Sequence, residues 1–282
     1  MKKLKISIIG YGVAGKAIKD GFDADKCEFT LIDLNLGNDV HSTSLYEDVF
    51  FICLPTPMGR NGEINADIVV DVVNYLLHNR TGTVVIKSTI TPEVIEELTS
   101  SQEHGHKVVY NPEFLTERSA KFDFINQARF ILGGRKSDTE SVAKLYKWRF
   151  GESVPCIETN FETAEMIKYM NNCFFATKVS FMNEMKLVAD KVGVDWDMAV
   201  EGFVRDGRIG HTHLNVPGPD GKLGFGGSCF PKDIQAMIQF GEDLGMDLNT
   251  LQGAWETNCE IRPSRDWEKL EGRSVVDNKK VN

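Results

Sequence analysis

Ten consecutive residues, Gly224-Phe225-Gly226-Gly227-Ser228-Cys229-Phe230-Pro231-Lys232-Asp233, bring a thiol, a lysine and a carboxylate together among glycines. Pro231 suits the first turn of a helix, where its missing N–H would have no partner and its φ is already helical. Cys229 then stands at a helix N-terminus, where the dipole and a nearby Lys232 favour thiolate over thiol. Asp233 follows one turn later and can face the same side. The glycines leave room for a substrate against the backbone. An isolated cysteine is most often a buried structural residue, but this setting points to a nucleophile.

A second constellation opens the chain. The apolar run Lys5–Ile9 leads at once into Gly10-Tyr11-Gly12-Val13-Ala14-Gly15 and then into a helical pattern. Gly10 permits the tight turn, Gly12 lets backbone approach a pyrophosphate, and Gly15 allows close helix–strand packing. The helix start offers free N–H groups to phosphate. Asp33 ends the next apolar run, where a carboxylate accepts hydrogen bonds from ribose hydroxyls and repels a 2′-phosphate. The expectation is NAD rather than NADP.

The elements that must position these groups follow from periodicity. Strands are expected at Lys5–Ile9, Glu28–Asp33, Val49–Leu54, Val84–Ser88, Lys107–Tyr110 and Arg129–Leu132, with helices near Val13–Phe22, Ala66–Leu77, Pro92–Thr99 and Asp138–Trp148. Such alternation implies βαβ units and a mostly parallel sheet. From Glu162 to about Val192 no Gly or Pro interrupts a long helical stretch, whose apolar positions Ala164, Ile167, Met170, Phe174, Phe181, Met185 and Val188 approximate one face. Further helices are expected at Asp195–Val204, Pro231–Leu244 and Leu248–Glu260. The Gly-rich stretch Gly207–Gly227 reads as a long loop, of the kind that is functional or disordered. The organisation expected is an α/β fold: a Rossmann-like, mostly parallel sheet domain over 1–155, an all-helical domain with a long central helix over 156–262, and a C-terminal tail over 263–282, frayed from Gly272 onward.

The 282 residues carry a net charge of −9, with 41% hydrophobic and 26% charged residues, the profile of an ordinary globule. That balance argues against nucleic acid as a partner, since phosphate binding needs clustered Lys and Arg. No apolar run is long enough to span a membrane, and the short N-terminal one reads as a strand rather than a signal peptide. The six cysteines form no CxxC pair and are irregularly spaced, which reads as free thiols in a reducing cytoplasm. His211 and His213 lie in the long loop beside Arg208, but no metal-ligand pattern accompanies them, so no metal is expected.

Seven ordered segments give the chain a resemblance to the UDP-glucose 6-dehydrogenase family, and more broadly to the UDP-sugar/GDP-mannose dehydrogenases. They are GYGVAG (10–15), LPTP (54–57), KSTITP (87–92), NPEFLTERSA (111–120), AEMIKYMNN (164–172) with FMNE (181–184), DGRIG (206–210) and GFGGSCFPKD (224–233). The resemblance covers roughly residues 1–260 and implies the following roles. Cys229 is the covalent nucleophile. Lys168 and Asn172 donate to the oxyanion at the sugar C6. Glu117 is the general base for thioester hydrolysis, and Thr89 and Asp233 hold water in that proton path. Gly10, Tyr11, Gly12, Val13, Gly15, Asp33, Pro55, Thr56, Thr89, Glu117 and Lys232 contact NAD. Glu113, Phe114, Leu115, Lys168, Asn172, Phe225, Gly226 and Cys229 contact the nucleotide sugar. Arg208 resembles an arginine that reaches into a neighbouring subunit's site, which implies at least a homodimer.

The implied reaction is the four-electron oxidation of UDP-glucose to UDP-glucuronate, a precursor for polysaccharide biosynthesis. GDP-mannose or a UDP-N-acetylhexosamine as substrate, and a non-catalytic NAD-binding partner subunit, are the alternatives. The residues by themselves are also compatible with an exposed Lys168, a solvated Glu117 and a helix-capping Thr89. The family ordinarily continues into a third, C-terminal α/β domain, whereas no strand–helix pattern follows residue 260 here. The expectation is a short form in which the basic residues that this domain supplies to the UDP pyrophosphate are absent or replaced. The span from Asp33 to Val49 is short for the family, which implies a more open adenosine pocket.

Overall fold

The structure is a computed structural model that describes residues 3–45, 47–59, 62–91, 94, 95, 98 and 107–277. By packing, the chain divides into two compact units, one of residues 1–56 and 66–168, the other of 57–65 and 169–282.

The first unit is built on a seven-stranded sheet of order β2-β1-β3-β4-β5-β6-β7. The strands are β1 Leu4–Ile9, β2 Cys27–Ile32, β3 Val49–Ile52, β4 Thr83–Ile86, β5 Lys107–Tyr110, β6 Phe130–Gly134 and β7 Cys156–Thr159. Five of the pairings are parallel, and only β5 with β6 runs antiparallel among the described pairs. The inner strands β3, β4 and β5 are covered on both faces, and their two-residue period sorts side chains between two clusters. Phe50, Ile52, Val84, Ile86 and Val108 pack with α2 (Asp67–Asn79) through Val69, Val73 and Leu76. Val49, Phe51, Val85 and Val109 pack instead with Ala17 and Ile18 of α1 (Val13–Gly21) and with Val142 and Tyr146. The unit also contains α3 (Ala120–Ile125) and α4 (Lys136–Phe150). Strand β7 lies in a stretch without a strand pattern. Ile157 and Glu158 are exposed and Cys156 and Thr159 half-buried because it is the sheet's edge, so the apolar run that marks the inner strands is missing. The helix expected at Pro92–Thr99 lies mostly outside the described residues.

Helix α5 runs unbroken from Phe161 to Val192. Asn160 starts it by accepting the Thr163 N–H at 3.0 Å, and Gly193 ends it in a left-handed conformation. The apolar stripe read from the sequence is packed only at its start, where Ala164 and Ile167 join the core of the sheet unit, and from Met170 onward it is not the buried face. Met170 (64% exposed), Phe174 (63%), Phe181, Met185 and Val188 are exposed, while Lys168, Tyr169, Asn172, Cys173, Ala176, Ser180, Met182 and Asn183 are buried. The polar members of this inner face are held by hydrogen bonds: Asn172 donates to Asp233, Ser180 to the Ala254 carbonyl, and Asn183 accepts the Gly224 N–H.

The second unit adds α6 (Trp196–Val204), α7 (Phe230–Asp243) and α8 (Asn249–Ile261). Its core gathers Cys173, Ala176, Phe225, Ile234, Ile238 and Ala254. The loop over 207–227 is ordered, tied down by side chains from α5 and α8. The tail expected to fray from Gly272 is held as far as Val276. Trp267 is buried with its ring tilted against Trp255 at a centroid distance of 5.4 Å, and Met58 exchanges backbone hydrogen bonds with Ser274 and Val276. Polar composition concealed this, because the anchoring partner comes from a distant stretch of sequence. Among the described residues, no helix is long and apolar enough to cross a membrane.

Candidate functional site

Strand β1 pairs with β2 on one side and β3 on the other, so the connections leave it in opposite directions. A crevice at the carboxyl ends of such strands is where open parallel sheets bind ligands. Gly10 sits at that point with φ +92°, and a side chain there would collide with the Cys53 carbonyl at the end of β3. Gly15 lies so close to the Gly10 carbonyl that it too must lack a side chain. Gly12 has open space where a Cβ would stand, and as N-cap of α1 it gives no side-chain cap. The first amides of α1 are left for a ligand. Asp33 accepts the Tyr11 N–H at 2.7 Å and the Asn35 N–H at 2.8 Å, which fixes its carboxylate beside the glycine turn. Val13 and Glu117 line one open groove of 560 Å³. These features fit a dinucleotide. Pro55 is exposed, whereas Thr56 is buried and Thr89 half-buried in the loop beyond β4.

The same unit holds a buried polar cluster. Glu113 Oε1 accepts the N–H groups of Phe114 and Leu115 at 2.7 and 2.9 Å, and Oε2 faces Lys87 Nζ at 3.5 Å. Lys87, 2% exposed, donates to Asn111 Oδ1 at 3.0 Å, which also accepts the Tyr146 hydroxyl. Lys168 donates to the Glu113 carbonyl and lies 5.4 Å from the centre of the Phe114 ring. Lys168 is therefore joined to Glu113 and Phe114, whereas Glu117 is exposed at the start of a 3-10 turn. Burial pushes the Cys53 thiol up to about 12, against the attraction of Lys87. Lys87, Asn111 and Tyr146 had no assigned role in the sequence. A lysine directly following an apolar strand was the available signal for the first of them.

In the second unit, Cys229 is the N-cap residue of α7, the place at the helix start expected from Pro231 in the first turn, and it is exposed. The two charged residues that follow turn inward. Asp233 is 1% exposed, pairs with the Lys232 ammonium and accepts the Asn172 side-chain amide at 2.6 Å. Its backbone N–H bonds to the Cys229 carbonyl at 2.9 Å, so thiol and carboxylate are one helical turn apart. Lys232 is thus directed at Asp233. Phe225 is buried and Gly226 half-buried in the loop before the thiol. Arg208 is exposed and bonded to Asp206. His213 stacks on Phe175 with ring centroids 4.1 Å apart, and burial, reinforced by Lys178, holds its imidazole below the usual range.

Residues 32–149 match the NAD-binding domain of the UDP-glucose/GDP-mannose dehydrogenase family, and residues 162–260 match its central domain. UDP-glucose 6-dehydrogenase TuaD of Bacillus subtilis is 34% identical over 245 residues, which cover 83% of this chain and 52% of the relative. The UDP-glucose 6-dehydrogenase of Rickettsia typhi is 34% identical over 259 residues, covering 90% and 57%. The chain thus spans about half the length of these curated relatives. A UDP-glucose dehydrogenase structure from the archaeon Pyrobaculum islandicum superposes with a TM-score of 0.78 at 27% identity, covering 96% of this chain and 71% of that one. The chain belongs to the UDP-glucose/GDP-mannose dehydrogenase family, of which it carries the NAD-binding and central domains.

Proposed function

We propose that the protein oxidises the C6 alcohol of UDP-glucose to the carboxylate through a covalent Cys229 intermediate. One observation carries this reading: an exposed thiol at the start of α7, backed one turn later by a buried carboxylate that Asn172 and Lys232 hold. A simple alcohol dehydrogenase needs no such nucleophile; oxidation to the acid does.

NAD, when bound, accepts hydride in each of the two oxidations. Gly10, Tyr11, Gly12, Val13 and Gly15 would hold its pyrophosphate, Asp33 its ribose, with Pro55, Thr56, Thr89, Glu117 and Lys232 as further contacts. Cys229 adds to the C6 aldehyde left by the first oxidation, forming a C–S bond while the carbonyl oxygen gains charge. Lys168 and Asn172 donate to that oxygen. Loss of the second hydride leaves a thioester on Sγ. Glu117 takes a proton from the attacking water, Thr89 and Asp233 orient it, the C–S bond breaks, and the uronate leaves with the thiol restored. Glu113, Phe114, Leu115, Phe225 and Gly226 contact the sugar nucleotide.

A homodimer belongs to the same reading. The exposed stripe of Met170, Phe174, Phe181, Met185 and Val188 on α5 is apolar surface of the kind that a second copy covers, and Arg208 would reach the partner's substrate. Six free thiols favour a reducing, cytoplasmic setting.

The test is purified protein with NAD and a panel of nucleotide sugars. Two NADH per UDP-glucose supports the proposal. Turnover only with GDP-mannose or a UDP-N-acetylhexosamine moves the chemistry to that sugar. NAD binding without turnover favours the reading of the chain as a non-catalytic partner subunit.

A further inference from the structure

The loop before Cys229 lacks regular structure, yet its backbone is fixed by three buried side chains. Asn183 of α5 accepts the Gly224 N–H at 3.1 Å. Asn258 of α8, fully buried, accepts the Phe225 N–H at 2.7 Å and donates to the Phe225 carbonyl at 3.0 Å, closing a two-point pairing with one residue. Arg262, just past α8 and 3% exposed, donates to the Leu223 carbonyl at 3.1 Å and pairs with Asp220 within the loop. It also pairs with Asp266, at the head of the turn that follows. Its guanidinium lies so close to Gly226 that any side chain there would collide with it.

A buried guanidinium is costly unless all its directions are used. Here the fork is spread over two carboxylates and a carbonyl, in geometry that a lysine cannot reproduce. The apolar packing beside it is carried by Phe225, Trp255 and Trp267. The group that the fork does fix is the loop backbone, and Cys229 follows three residues after Gly226.

We infer that Arg262 is a positioning residue: through Asp220, Leu223 and Gly226 it sets the approach of the loop to Cys229. This rests on the reading of Cys229 as nucleophile. A loop left free would present the thiol in many orientations, and misplacement on the ångström scale slows covalent chemistry by about two orders of magnitude.

The experiment uses the full chain in two variants. Asp220→Asn releases the loop end of the clamp while leaving Arg262 paired with Asp266, so the fold is retained. Arg262→Lys keeps the charge and removes the fork. Hydrogen exchange by mass spectrometry reads residues 218–229 against α7 and α8, beside kcat with UDP-glucose and the KM for NAD. The expected result is faster exchange confined to 218–229, kcat lower by roughly 10–100-fold and an unchanged KM for NAD. Parent-like exchange and kcat in both folded variants overturns the inference. So does exchange that rises equally through α7 and α8, which is a purely structural role. If the parent oxidises no nucleotide sugar, the functional reading fails while the exchange measurement still decides whether Arg262 orders the loop.

Discussion

The side-chain amide of Asn172 donates to Asp233 Oδ2 at 2.6 Å while the Lys232 ammonium pairs with the other carboxylate oxygen, all three side chains being buried. Removing the carboxylate leaves a buried ammonium without its counter-charge. Asp233→Ala is expected to destabilise the protein by about 3–5 kcal/mol, and Asp233→Asn by less, because the amide still offers an acceptor. Thermal unfolding of both variants checks the order; equal losses contradict it.

Cys229→Ser replaces an exposed thiol with a hydroxyl of similar size, so unfolding should match the parent within about 0.5 kcal/mol. Net uronate formation is expected to be lost. A variant that releases uronate at the parent rate ends the nucleophile assignment.

Glu113 and Glu117 separate by environment. Glu117→Gln should slow thioester hydrolysis by roughly 10²–10⁴-fold and let an acyl adduct accumulate on Cys229, visible by mass spectrometry of the intact protein. Glu113→Gln takes away the charge facing buried Lys87, with an expected stability loss of about 1–3 kcal/mol. If the adduct accumulates in Glu113→Gln and not in Glu117→Gln, the base is Glu113.

Phe174 and Phe181 are exposed on α5. Phe174→Glu combined with Phe181→Glu is expected to halve the mass measured by light scattering, from dimer to monomer, with little change in the unfolding temperature of the monomer. A parent that is already monomeric at micromolar concentration contradicts the dimer.

The hydrogen bond from Arg262 holds the Asp266 carboxyl below its usual range despite partial burial. Because its folded value is depressed, its contribution to stability is complete above the unfolded value of about 3.9 and disappears as pH falls through the folded value. Asp220 behaves in the same direction: burial opposes its charge, but Arg262 and the Lys222 N–H outweigh it. Unfolding measured from pH 7 down to pH 2 should therefore fall more steeply below about pH 4 in the parent than in Asp266→Asn. Parallel curves argue against the pairing.

Local chemistry was legible in the chain itself. The glycine turn after β1, the thiol before Pro231 and the apolar strands each state their geometry within a few residues, because φ restrictions, missing N–H groups and two-residue periodicity act over that range. What the sequence could not express was which face of a long helix is buried. The apolar side chains of α5 suggested one face, which holds at Ala164 and Ile167, but from Met170 onward the buried residues include Asn172, Ser180 and Asn183 instead, since buried polar groups are stabilised by partners that arrive from other elements. The same holds for Lys87 with Asn111, for Arg262 with Asp220, and for Trp267 in a stretch that looks like a tail. Each of these groups is buried only because distant residues meet it, and that meeting exists only in the folded chain.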